Sequence, residues 1–186
     1  MKNKIVLFVF VGVLQVLAPA KTKLSPHAHA STCQEALPAS VQQAIRAKMG
    51  DWKVVSLADL IPDDQQAWKE RFGDQCPGVA VGRFSSSQAQ SYAVTLIRGK
   101  EQARYQTLIV LTKSSSGDYR ILTLSPVQLV DVISIVAKLP PGAYSSADDA
   151  VHIRSDYDVI SYEVNEAGAI LYYWDRNRYK SLQTSE

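Results

Sequence analysis

Tyr92-Ala93-Val94-Thr95-Leu96-Ile97-Arg98, followed after a short polar break by Tyr105-Gln106-Thr107-Leu108-Ile109-Val110-Leu111-Thr112-Lys113, is the stretch on which the fold turns. Both segments are dense in β-branched, aliphatic and aromatic residues, which suit a packed pleated surface. With a period of two, Tyr92, Val94 and Leu96 share one face of the first, and Thr107, Ile109 and Leu111 one face of the second. Outward from this pair, residues 78–84 and 119–125 repeat the pattern, set off by Ser85-Ser86-Ser87 and Ser114-Ser115-Ser116-Gly117. Residues 127–139 can be read two ways: β-branched content argues for a strand, while length allows a helix. We read a strand. Residues 159–164, 169–174 and 178–182 give three more, joined by Asn165-Glu166-Ala167-Gly168 and by Asp175-Arg176-Asn177. The span from Pro140-Pro141-Gly142 to Asp149 reads as a loop.

Upstream the period changes to three and four. Leu37, Val41, Ala44, Ile45 and Met49 predict a helix with Pro38 as its first residue and Gly50 as its left-handed cap. Residues 52–57 read as a short strand. Pro62-Asp63-Asp64 opens a second helix whose apolar face carries Trp68 and Phe72 and which stops at Gly73. The expected fold is α+β: two N-terminal helices packed on one side of a mainly antiparallel sheet of about six to eight strands. Residues 31–186 form one such domain, long enough to bury a proper core.

The first 30 residues predict export. Met1-Lys2-Asn3-Lys4 is a short cationic start, and residues 5–18 are an apolar run broken only by Gly12 and Gln15. A membrane-spanning helix needs about 20 apolar residues, so 14 suit a cleaved signal peptide better. Two Ala-x-Ala sites follow, Ala18-Pro19-Ala20 and Ala28-His29-Ala30, and the second is preferred. Ala30-Ser31-Thr32 before Cys33 lacks the Leu of a lipidation box.

The formal charge of +2 comes from this front, which holds Lys2, Lys4, Lys21 and Lys23 and no acid. Subtracting those four lysines from the 20 basic residues leaves 16 against 18 acids, a balance of −2. Such a chain has no long-range field for nucleic acid or, once the signal is cleaved, for an anionic membrane. Cys33 and Cys76 are an even pair, and in an oxidising compartment they predict one disulfide. A metal role for them lacks partner ligands, since His152 alone remains beyond residue 30.

Cys76-Pro77-Gly78-Val79-Ala80-Val81-Gly82-Arg83-Phe84, with Tyr92-Ala93-Val94 beyond it, resembles one FG-GAP or VCBS-type repeat. In that family a Val-Ala-Val-Gly-Asp-Phe strand leads through an acidic calcium loop into a second strand. Here Arg83 replaces the acid and residues 85–91 contain no carboxylate. The resemblance therefore implies a strand–loop–strand hairpin over Cys76 to Val94 and no calcium site, because Ca²⁺ needs six or more oxygens, several of them anionic. In outline the whole chain is also similar to small secreted bacterial proteins.

Three groups carry candidate chemistry. Asp175-Arg176-Asn177-Arg178-Tyr179-Lys180 lies beside Tyr172, Tyr173 and Trp174, and rigid rings with Arg dominate binding hot spots. Trp174, Arg176, Arg178 and Tyr179 are the candidate binding residues. The competing reading is a solvated hairpin turn. Asp148, Asp149, Asp156 and Asp158 surround His152, and paired acids run glycoside hydrolysis when held about 5–10 Å apart. Asp63-Asp64 is accounted for by a helix N-terminus. No Gly-x-Ser-x-Gly, P-loop, His-Glu-x-x-His or dinucleotide fingerprint occurs. The expectation is a secreted or periplasmic, non-catalytic module that binds a protein or glycan, without cofactor, metal or nucleic acid and of open oligomeric state. The alternative is a small extracytoplasmic hydrolase using carboxylates near His152.

Overall fold

The computed structural model describes residues 33–86, 89–100, 103–164 and 168–184. The export signal and both Ala-x-Ala sites lie outside the described residues. In chain order the elements are α1 (Ala39–Met49), β1 (Lys53–Val54), a 3-10 turn (Leu57–Asp59), α2 (Pro62–Phe72), β2 (Val79–Gly82), β3 (Ser91–Lys100), β4 (Ala103–Lys113), β5 (Tyr119–Val130), β6 (Ile135–Leu139), β7 (Gly142–Ser145), β8 (His152–Ser155), β9 (Val159–Val164), β10 (Gly168–Asp175) and β11 (Arg178–Thr184). Among these, no helix is long and apolar enough to cross a membrane.

The class is α+β, with every strand pair antiparallel. Three details of the expected fold are corrected. The described strands number eleven, above the expected six to eight. The helices are not a purely N-terminal layer on one side of the sheet, since β1 lies between them, α1 covers a sheet face and α2 caps one end. And the strands divide between a five-stranded sheet (β1 and β2 end to end along one edge of β3, then β4, then β5), a four-stranded sheet (β11-β10-β9-β6) and the two-stranded hairpin β7–β8.

These sheets stack, and each core cluster is one interlayer. Val41 and Ile45 of α1, one turn apart, bury against Tyr92, Val94, Leu96, Ile109 and Leu111 on the outer face of the five-stranded sheet. On its inner face Ala93, Leu108 and Val110 meet Val136, Ile160, Tyr162 and Tyr172 of the four-stranded sheet. The hairpin β7–β8 covers the far side of that second sheet, where Tyr144 and Ile153 pack on Val159, Ala169, Leu171 and Leu182. Helix α2 caps one end, with Trp68 against Val55, Leu60, Ile97, Ile133 and Ile135. Because both faces of the first sheet are covered, every residue from Ser91 to Ile97 is buried, and strict alternation disappears. Each Val, Leu or Ile so enclosed contributes about 1.5–3 kcal/mol relative to exposure.

Local chemistry sets the boundaries. Pro38 stands just before α1, extended at ψ 145°, and is not its first residue; its carbonyl accepts from the amides of Val41 and Gln42. Gly50 and Gly73, at φ 67° and 63°, end the two helices in the left-handed region that glycine tolerates. The strand expected over 52–57 shortens to β1 because Ser56 and Asp59 form a reciprocal capping box that winds Leu57–Asp59 into the 3-10 turn. Residues 127–139 are not one strand. Strand β5 runs on through Pro126 to Val130, tolerated because β5 is an edge. The chain then crosses between sheets at Asp131–Ser134, where the Gln106 side chain donates to the Ser134 carbonyl at 2.6 Å and accepts from its amide at 3.0 Å. The expected loop over 140–149 contains β7, since Gly142–Ser145 pairs with His152–Ser155.

Cys33 and Cys76 are joined, with Cα atoms 5.4 Å apart across 43 residues of sequence. The bond pins the chain ahead of α1 to the entry of β2 and lies in the α1 interlayer. In the chain-entropy account a loop of this size contributes about 4 kcal/mol. A closed disulfide is the chemistry of an oxidising, non-cytoplasmic compartment.

Candidate functional site

The two main sheets meet differently along their two edges. On one side, where β2 approaches β6, the two sheets are stitched through backbone groups flanking β2. The Val136 amide donates to the Pro77 carbonyl at 2.8 Å, and the Asp158 amide to the Arg83 carbonyl at 3.1 Å. Asp158 Oδ2 accepts in return from the Arg83 amide at 2.8 Å. Gly82 makes that approach possible: a Cβ there would stand 2.8 Å from Asp158 Oδ2 and 2.9 Å from the Phe84 ring.

On the other side the edge strands β5 and β11 do not pair, and the sheets splay apart. The inward positions of this end carry Arg120 and Leu122 on β5, Val110 and Thr112 on β4, Tyr172 and Trp174 on β10, and Tyr179 and Ser181 on β11. They enclose an open cleft of about 690 Å³, to which Ser85 and Ser86 add hydroxyls. Leu122 records the splaying directly. It lies beside the buried Val110, yet 42% of it is exposed because the opposite sheet does not close over it.

The aromatic wall is built by register. Trp174 and Tyr179 are directly opposed across the β10–β11 hairpin, with ring centroids 5.0 Å apart and planes at 78°. Edge-to-face packing of this kind holds both rings in one orientation. Burial lifts the Tyr179 hydroxyl to about 12, with the nearby Ser85 hydroxyl opposing the rise. Among the described residues, Trp174 Nε1 is buried and meets no hydrogen-bond partner. Such a group is costly to leave unmatched.

Charge at the cleft is one-sided. Its described lining includes Arg120, Arg178 and Lys180 and no Asp or Glu. Lys180 is engaged by Asp175 at 2.5 Å, and that hydrogen bond leads the causes holding the Asp175 carboxyl below its usual range. Arg120 forms no ion pair among the described residues, and Arg178 stands across the hairpin from Asp175, whose carboxyl its charge also helps to hold low.

Of the four binding residues read from sequence, the structure brings Trp174, Arg178 and Tyr179 together in this cleft. Arg176 is not there. It occupies the turn itself at φ 60° and borders a separate depression with Asp175, Asn177, Arg178 and Lys180. Sequence reading missed Arg120, Leu122, Thr112, Ser85 and Ser86. Alternation showed which positions share a face, but not that the facing sheet would leave them uncovered.

The acids near His152 are separated. Asp148, Asp149 and His152 lie at the exposed tip of the β7–β8 hairpin, whereas Asp156 and Asp158 follow its other end, beyond four residues of β8 or about 13 Å of strand. His152 Nδ1 is 2.9 Å from Ser145 Oγ and 3.6 Å from Asp149 Oδ1. Both neighbours use the same ring nitrogen. A Ser–His–Asp relay needs the hydroxyl on one nitrogen and the carboxylate on the other, so this trio has the residues of a triad without its geometry. Asp148 is spent locally: it accepts from Ser146 Oγ, the chief cause of its lowered pKa, and from the Ala150 amide. Among the described residues no three His, Cys, Asp or Glu side chains cluster as metal ligands.

No protein-family model matches the chain, and neither a curated protein nor a solved structure does, so the geometry of the cleft alone guides the reading of its ligand.

Proposed function

We propose that the protein is an exported, secreted or periplasmic binding module whose splayed sandwich end receives a ligand carried by a glycan or protein partner. A bacterial source and removal of residues 1–30 as a signal peptide belong to the same proposal. They rest on the cationic start, the 14-residue apolar run and the two Ala-x-Ala sites. The disulfide supports it, because it requires an oxidising compartment.

One observation carries the binding reading. Rings and cations that could have been covered by a fully closed sandwich instead line a preformed cleft, with the Trp174 indole N–H buried and unmatched. Ligand sites combine such apolar walls with a few convergent polar groups, in volumes of about 300–1,000 Å³. The hydrolase alternative loses ground, since the carboxylates it requires do not converge on His152.

The test is an array of glycans and extended peptides probed with the disulfide-bonded protein and with its Trp174→Ala, Arg178→Ala variant. The expected result is one ligand class retained by the parent and lost by the variant. Ligands bound equally by both would overturn the assignment of the cleft.

A further inference from the structure

Building on the cleft reading, we infer that its ligand is an acidic saccharide: a pyranose ring stacked on the Trp174–Tyr179 wall with its carboxylate held by Arg120 and Arg178.

Two arginines line one cleft from opposite sheets, Arg120 from an inward position of β5 and Arg178 from the edge strand β11, where it stands across from Asp175, and no described acid lines the cleft itself. Among the described residues, Arg71, Arg98 and, at the cleft itself, Lys180 have ion-pair partners, whereas Arg120 has none. Arg71 binds Glu163 at 2.7 Å, Arg98 lies by Asp51 at 4.0 Å, and Lys180 holds Asp175. Charge-assisted bonds from a planar guanidinium to a carboxylate are the strongest polar contacts open to such a pair.

The wall argues for a sugar over a simple anion. A pyranose presents a C–H face that packs on an aromatic ring and a rim of hydroxyls that both donate and accept. The cleft offers the counterpart of each: the rings of Trp174, Tyr172 and Tyr179, the unmatched Trp174 N–H as donor, and Ser85, Ser86, Thr112, Thr123, Asn177 and Ser181 as exchangeable partners. Size separates this ligand from a folded protein, which needs about 800 Å² on each side of its interface. Single-stranded nucleic acid also combines rings with anions. It is disfavoured because the chain beyond residue 30 carries a balance of −2, which supplies no field to follow a backbone of repeated phosphates.

The experiment titrates the disulfide-bonded protein by calorimetry with two matched pairs, trigalacturonate against its methyl ester and sialyllactose against lactose, and with hexathymidylate. At least one acid should bind about tenfold or more tightly than its neutral twin. Arg120→Gln, Arg178→Gln should erase that difference while leaving the denaturation midpoint in place, since both side chains are exposed. Trp174→Phe, which keeps a ring but removes the N–H, should weaken both members of the pair. Neutral twins binding as well as the acids, with Trp174→Phe still harmful, would overturn the acidic ligand and leave the cleft reading standing. Binding indifferent to Trp174, or none by any sugar, overturns the saccharide, and tightest binding by hexathymidylate replaces it with nucleic acid.

Discussion

The closed edge and the open edge of this sandwich are made from similar material and do opposite things. At the β2–β6 seam, backbone groups of one sheet bond those of the other, Asp158 caps the Arg83 amide, and Phe84 is wholly enclosed. At the β5–β11 edge, Leu122 faces inward yet stands open, and Trp174 and Tyr179 show their rings to a cleft. The difference teaches that stability is concentrated where the sheets join, which leaves the far edge free to hold groups that folding does not need. Removing seam groups should therefore unfold the protein, and removing cleft groups should change what it binds.

The largest expected effect is at the seam. Phe84→Ala should cost about 3–5 kcal/mol, read as a lower denaturant midpoint at unchanged slope, because it deletes a ring from a packed interior. An effect near zero would show that the seam is not where stability resides. Next comes alkaline titration at the cleft. Tyr179 ionises near 10 in the unfolded chain and at about 12 when folded, so the unfolded state releases its proton first. Stability is then fully present below pH 10 and falls as pH rises from 10 towards 12, by about 2–3 kcal/mol. Tyr179→Phe should flatten that decline, and an unchanged profile would mean the hydroxyl is not buried in solution. The smallest effect belongs to Arg176, an L-residue held at φ 60°. Arg176→Gly should raise stability by about 1 kcal/mol and leave cleft binding intact, since the side chain does not line it. Lost binding would extend the site around the turn.

Much of this was legible in advance. The helices over 39–49 and 62–72 announce themselves through spacing and through Gly50 and Gly73, since helical periodicity and left-handed caps are properties of neighbouring residues. The cysteine pair followed from counting. Trp174, Arg178 and Tyr179 were visible because the hairpin that opposes them is local, with its strands only two turn residues apart. The split of residues 127–139 was not visible, because it depends on the Gln106 side chain reaching Ser134, 28 residues away.

Period-two patterning, turn chemistry and an even cysteine count were enough to specify the α+β class, most of the strands and the disulfide, since each depends on residues close in sequence or on chemistry that ignores geometry. That the strands form two stacked sheets with one edge sewn and the other splayed was decided only in three dimensions. A strand's pattern states which residues share a face, but what covers that face depends on strands far along the chain. For the same reason Arg120 became a partner of Arg178 only when β5 and β11 arrived at the same edge without pairing.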